Sequence, residues 1–210
     1  MKNIKSDIKK SIMITKDFYL SESSYKNVIN KVFNNSWQLI TDTKSLGKIK
    51  QYPFYFLSNS INEPMILIKQ NDIKCISNVC THRAHLLVNN NCNKKNIKCK
   101  YHGRTFNLDG SLNHAPGFED LENFPSKEDN LIDFDLLKWE NFIFCGINPI
   151  INLQPIFDDI NKRLPAFKFR ELNYDKNNSQ TFILNAHWAL YCDNYLEGFH
   201  VPFVHKGLNQ

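Results

Sequence analysis

The sequence predicts an α+β protein, β-rich in its middle and helical at its two ends. Three observations carry that reading. Short runs of β-branched and aromatic residues recur between positions 37 and 147, with turn signals roughly every ten residues. Helical spacing of apolar residues appears at 21–34 and again at 188–197. Apolar residues make up 42% of the 210-residue chain, enough to bury a core and to exclude global disorder.

Taken in order, Tyr25, Val28, Ile29, Val32 and Phe33 line one face of a predicted helix, with Ser21 or Ser23 as its cap. The runs at 37–40, 54–57, 65–69 and 73–79 read as strands, punctuated by Gly47, Pro53 and Pro64. Asn107-Leu108-Asp109-Gly110 reads as a hairpin turn, because Asp-Gly tolerates positive φ. Residues 142–147 read as a further strand. Pro149 to Pro165 forms a connector with a short helix near Phe157–Arg163. Residues 180–186 look strand-like, and 188–197 helical until Gly198 and Pro202 interrupt.

The net charge of +5 does not indicate nucleic acid, because the lysines are scattered. The stretch 118–135 is acidic, with seven Asp/Glu against Lys127. No window reaches the ~18 apolar residues of a membrane span, and the first twenty residues lack the apolar core of a signal peptide. The expectation is a cytoplasmic protein with no membrane and no nucleic-acid partner. In that compartment the six cysteines are buried, catalytic or metal-bound rather than paired.

Two cysteines stand beside histidines at ligand spacing. Cys80-Thr81-His82 and Cys99-Lys100-Tyr101-His102 are separated by sixteen residues. Two thiolates with two imidazoles suit zinc or an iron–sulfur cluster. Structural zinc sites pair like ligands, whereas each pair here is mixed. Mixed pairs suit two loops, each giving one Cys to one iron and one His to the other. In the tail, Glu197 lies three residues before His200, and His205 five after it. On a helix, Glu197 lies one turn from His200 and within reach of its ring. Asp193 and Asn194 sit one turn earlier.

The loops CTHRAHLL (80–87) and CKYHGRTFNLDGSL (99–112) resemble those of Rieske non-haem iron oxygenases, the aromatic ring-hydroxylating type. The usual pattern is CxHRGxxL followed by CxYHGWxF. Ala84 replaces its Gly, Lys100 the common Pro, and Arg104 its Trp. The respiratory type carries an extra Cys in each loop, and His85 and Tyr101 stand there instead. Residues 193–205 resemble the mononuclear-iron motif of the same family, closest to choline monooxygenase-like members. Trp188 falls at a related position, with Ala189 where Lys is common. His85 and His114 read as surface or supporting residues.

The resemblance implies a Rieske domain at 37–148, after an N-terminal arm and helix at 1–36. Residues 149–210 would begin an α+β, helix-grip-like catalytic domain, incomplete at the C-terminus. It implies a 2Fe–2S cluster on Cys80, His82, Cys99 and His102, and a mononuclear Fe(II) on His200 and His205. The third, carboxylate, ligand is expected outside this chain. Asp193 and Asn194 take supporting roles. Glu197 is the bridging carboxylate, linking His200 to the partner subunit's His102 in a homotrimer. Electrons from NAD(P)H arrive through a reductase, possibly with a ferredoxin. They pass from cluster to Fe(II), where O₂ is activated to hydroxylate a small organic substrate. The 210-residue chain alone is not expected to be catalytically complete. Two other readings are a Rieske ferredoxin-like electron carrier and a structural zinc module.

Overall fold

The structure, a computed structural model, describes residues 5–208. It divides into two compact units, one of residues 29–175 and one of residues 1–28 with 176–210. Both expected boundaries of the central domain, 36/37 and 148/149, fall inside the first unit.

That unit is built on an antiparallel sheet. Its strands are β1 (Gln38–Asp42), β2 (Gln51–Phe56), β3 (Glu63–Lys69), β4 (Ile73–Ser77), β8 (Asp133–Trp139) and β9 (Phe142–Gly146). They lie in the order β1-β9-β8-β4-β3-β2. A smaller sheet holds β5 (Ile97–Lys98), β6 (Thr105–Phe106) and β7 (Leu112–His114). The Asn107–Gly110 turn joins β6 to β7, with Gly110 at φ 93°. Asp109 accepts the Ser111 N–H at 2.9 Å, the side-chain-to-backbone bond that favours Asp in turns.

β3 reads Pro-Met-Ile-Leu-Ile and is buried on both faces. Ile66 and Ile68 enter one apolar cluster with Ile76, Leu87, Ile97, Phe106 and Leu131. Met65 and Leu67 point the other way, into a cluster with Leu46, Phe56, Ile143 and Cys145. This is the period-two alternation of a strand with a core on each side. Cys75 and Cys145 belong to the second cluster, and burial with a neighbouring thiol pushes Cys75 up. The Cys145 thiol is the larger cause. Such thiols are core filler, not nucleophiles.

A short helix α3 (Thr43–Leu46) follows β1, its first turn capped by Asp42, which accepts from the Lys44 and Ser45 N–H groups. The connector after β9 belongs to the same unit. Its helix α4 (Gln154–Arg163) stacks Phe157 on Trp139, with ring centroids 4.6 Å apart and planes within 3°. Asn141 Nδ2 donates to the Leu172 carbonyl at 2.8 Å, tying the connector's far end to the β8–β9 turn.

The second unit carries α1 (Lys16–Leu20), most of α2 (Glu22–Lys31), α5 (Trp188–Leu196) and α6 (Val201–Val204). Ser21 caps α2 by accepting the Ser24 N–H. Residues 180–186 differ from expectation. They form no strand and are exposed. An apolar-alternating run becomes a strand only where a partner strand pairs its backbone, and no ladder reaches this segment among the described residues. Among the described residues, no helix is long and apolar enough to cross a membrane.

Candidate metal centre

The two mixed Cys/His pairs sit on loops with the same backbone design. In the first, the Cys80 N–H donates to the His85 carbonyl at 2.9 Å and the Ala84 N–H returns to the Cys80 carbonyl at 3.0 Å. In the second, the Cys99 N–H donates to the Arg104 carbonyl at 2.8 Å and the Gly103 N–H returns to Cys99 at 3.2 Å. Each loop turns through a left-handed residue four after its cysteine, Ala84 at φ 50° and Gly103 at φ 79°. Glycine adopts that conformation freely and alanine does not. The departure of Ala84 from the usual Gly therefore falls on a position whose geometry favours Gly.

Buried Asn78 anchors the first loop, with its side chain donating to the Val88 carbonyl at 2.7 Å and accepting the Val88 N–H at 2.8 Å. The loops bring the four predicted ligands together as two like pairs. Cys80 and Cys99 are both buried and neighbour one another. The His82 and His102 rings lie 4.9 Å apart, nearer the surface. Burial pushes the Cys80 thiol up, and burial, then the Arg104 charge, pushes His82 down. Neutral imidazoles and thiols that yield a proton to a metal are what such a donor set requires. Two sulfur donors inside and two nitrogen donors outside match a two-iron cluster with unlike irons. His85 lies against Tyr101, with ring centroids 5.9 Å apart, and His114 is exposed on β7.

Arg104, where tryptophan is usual, is only 6% exposed. One guanidinium nitrogen donates to Thr81 Oγ1 at 3.2 Å and to Asp129 Oδ1 at 3.4 Å. Its cation lies over the Phe118 and Phe124 rings at 5.6 and 5.4 Å. The Thr81 hydroxyl in turn donates to the Asp129 carbonyl at 2.8 Å. Asp129 is held below the usual carboxylate range, first by the Ser126 N–H. The sequence flags Arg104 as a departure, but nothing in it indicates Asp129 and Thr81 as its partners.

The tail residues lie in the other unit. Glu197 does contact His200, but not along a helix. α5 ends at Leu196, and Glu197 is its extended cap. The carboxylate folds forward, accepting the Phe199 N–H at 2.6 Å and meeting His200 Nδ1. His200 and His205 flank α6 at its two ends, their rings 5.3 Å apart. Asp193 accepts from the Tyr19 hydroxyl at 2.5 Å, while Asn194 is exposed. His187 is ringed by Phe18, Tyr19, Tyr25 and Trp188 and caps α5 through Nδ1. The sequence reading misses both the Tyr19 bond and the His187 cluster, since each pairs residues some 170 positions apart. The two imidazoles set two nitrogen donors side by side.

Residues 36–125 match the family described as the Rieske [2Fe–2S] domain. The chain is 29% identical over 202 residues to the carnitine monooxygenase oxygenase subunit of Escherichia coli K12, covering 91% of this chain and 52% of that protein. It is 27% identical over 197 residues to the chloroplastic choline monooxygenase of Beta vulgaris, covering 90% and 43%. The apo form of the quaternary ammonium Rieske monooxygenase CntA superposes with a TM-score of 0.74 at 23% identity, over 92% of this chain and 57% of that one. Naphthalene 1,2-dioxygenase from Rhodococcus sp. gives 0.67 at 18% identity, over 88% and 44%. The structural likenesses establish the fold. The chain spans about half the length of the curated relatives it matches.

Proposed function

From a chain whose residues 36–125 match the Rieske [2Fe–2S] domain, and which is similar along nine-tenths of its length to a carnitine monooxygenase oxygenase subunit and a choline monooxygenase, we propose the α-subunit portion of a Rieske-type oxygenase. One observation carries the proposal: the two loops of one design that set Cys80 beside Cys99 and His82 beside His102. The thiolates would hold one iron and the imidazoles the other. His200 and His205 would hold a mononuclear iron. When bound, the cluster supplies one-electron storage and the Fe(II) supplies reactivity toward O₂.

The chain's own residues prepare both sites. With the His200 proton on Nδ1, Glu197 accepts its hydrogen bond, which fixes that tautomer and leaves the Nε2 lone pair for a metal. Tyr19 holds the Asp193 carboxylate in one orientation. Neutral imidazoles in place of two thiolates make the cluster less negative and raise its potential. In a homotrimer, Glu197 would join His200 to the partner subunit's His102. Electrons would come from NAD(P)H through a reductase, with or without a ferredoxin. The similar proteins are named for carnitine, choline and quaternary ammonium. A small quaternary ammonium compound is therefore the substrate class we assign. An electron carrier without oxygenase activity would account for the loops but not for the Glu197–His200 pair.

Anaerobic reconstitution with iron and sulfide, followed by metal analysis and EPR of the reduced protein, tests the cluster. The expected result is a cluster of two irons and two labile sulfides, lost in Cys99→Ser, and one further iron outside it. A colourless protein with no EPR signal, or one that takes zinc in their place, refutes the reading. For the second site, H200A should lose one further iron while the cluster spectrum stays intact.

A further inference from the structure

Arg104 touches both ligand loops. Its own carbonyl accepts the Cys99 N–H, and its guanidinium bonds Thr81, the residue between Cys80 and His82. The Phe118 ring neighbours both Arg104 and His82. It is 5.6 Å from the Arg104 guanidinium and 6.1 Å from the His82 ring. The cation is buried, and its Nε has no hydrogen-bond partner among the described residues.

Asp129 offsets part of this charge from a distance. Its distance to the guanidinium, 3.4 Å, is longer than a charge-assisted hydrogen bond at 2.7–2.9 Å. Its other oxygen is engaged by the Ser126 N–H at 2.9 Å and the Ser126 hydroxyl at 3.1 Å. A buried guanidinium held this loosely by its counter-ion keeps a positive field in a region of low dielectric.

We propose that Arg104 is a positioning residue that raises the reduction potential of the 2Fe–2S site, its buried guanidinium favouring the more negative, reduced form. The inference rests on the reading that Cys80, His82, Cys99 and His102 hold that cluster. Reduction adds one electron, drawn in a titration from the electrode through mediators, and forms or breaks no bond. A nearby fixed positive charge stabilises the added negative charge. A tryptophan at this position would fill the same space without that field.

The test is a mediated redox titration of the reconstituted chain at fixed pH, read by EPR and visible absorption. Arg104→Gln and Arg104→Trp are each expected to lower the reduced-to-oxidised ratio at a set potential about tenfold, a shift of about 59 mV for one electron. Arg104→Lys, which keeps the charge, is expected to stay within about threefold of the parent. Asp129→Asn removes the counter-charge and is expected to move the potential the opposite way. A purely structural strap would change thermal stability in all four variants without this ordering of signs. Full cluster loading in Arg104→Gln with the parent's potential overturns the inference. If Arg104→Gln fails to load, the sign of the Asp129→Asn shift decides, and a downward shift overturns it. Failure of the unmodified chain to bind two irons and two sulfides would instead overturn the cluster reading itself.

Discussion

Ala84→Gly should stabilise the protein. Ala84 holds φ 50°, its side chain lies at an exposed position, and its N–H closes the first ligand loop at 3.0 Å. The left-handed conformation costs an L-residue about 1–2 kcal/mol. Glycine removes that cost but gives back about 0.5–1 kcal/mol through the greater freedom of its unfolded chain. The exposed methyl contributes little burial. The net expectation is a gain of about 0.5–1 kcal/mol, or a melting point higher by about 1–4 °C for a domain of this size. The reciprocal change, Gly103→Ala, tests the same logic from the other loop. There a Cβ would meet Pro116 Cγ at 3.2 Å at a φ of 79°. A loss of about 2 kcal/mol is expected. Urea midpoints at constant slope measure both. If Ala84→Gly is neutral or destabilising while Gly103→Ala is tolerated, the claim that the loops share one strained turn fails.

Trp139→Ala removes the stack on Phe157 and should cost about 2–3 kcal/mol, with protease cleavage of the connector 149–175 appearing first in limited digestion. Asp129 has a folded carboxyl below its ordinary value of 3.8, so its contribution is present above that range and drains away as pH falls through it. Urea midpoints should therefore decline on acidification below about pH 4, and Asp129→Asn should flatten that part of the decline; an unchanged acid limb refutes it. Cys75, raised by its Cys145 neighbour and burial, should resist alkylation until the chain is unfolded, as peptide mapping would show. Tyr19→Phe should leave the fold intact within about 0.5 kcal/mol, since the bond to Asp193 is exposed, and calorimetry would measure it.

What the sequence made legible followed from strong local signals. β1 to β4 and β9 lie where β-branched and aromatic runs predict them, because such runs have a pleated, buried surface to fill. β8 begins at the end of the acidic stretch, which masked it. Asp133 and Asp135 are exposed, and Phe134 and Leu136 alternate inward, so charge masked the period. β5 to β7 have two or three residues each, too few for any period to show. Residues 180–186 had the pattern of a strand without a partner to pair with. The meeting of the two Cys/His pairs was legible because residue type and spacing together carry a strong signal. Glu197 and His200 meet as expected, yet through a forward-folded cap rather than a helical turn. The Arg104–Asp129 pair was not legible, since 25 residues separate two groups that only the folded chain brings together.

The double-sided burial of β3 has a consequence for how the ligand loops are seated. Ile66 pairs with Ile76 and Leu67 with Cys75 across to β4. A slip of one residue would exchange the two faces, sending Met65 and Leu67 beneath the loops and the isoleucines behind the sheet. Both cores would then be filled by the wrong shapes at once. Most sheets resist slippage by losing a single buried face; this one has two locks on the same strand. The floor under Cys80 and Cys99 is thus indexed by side chains on the opposite side of the sheet, which touch neither.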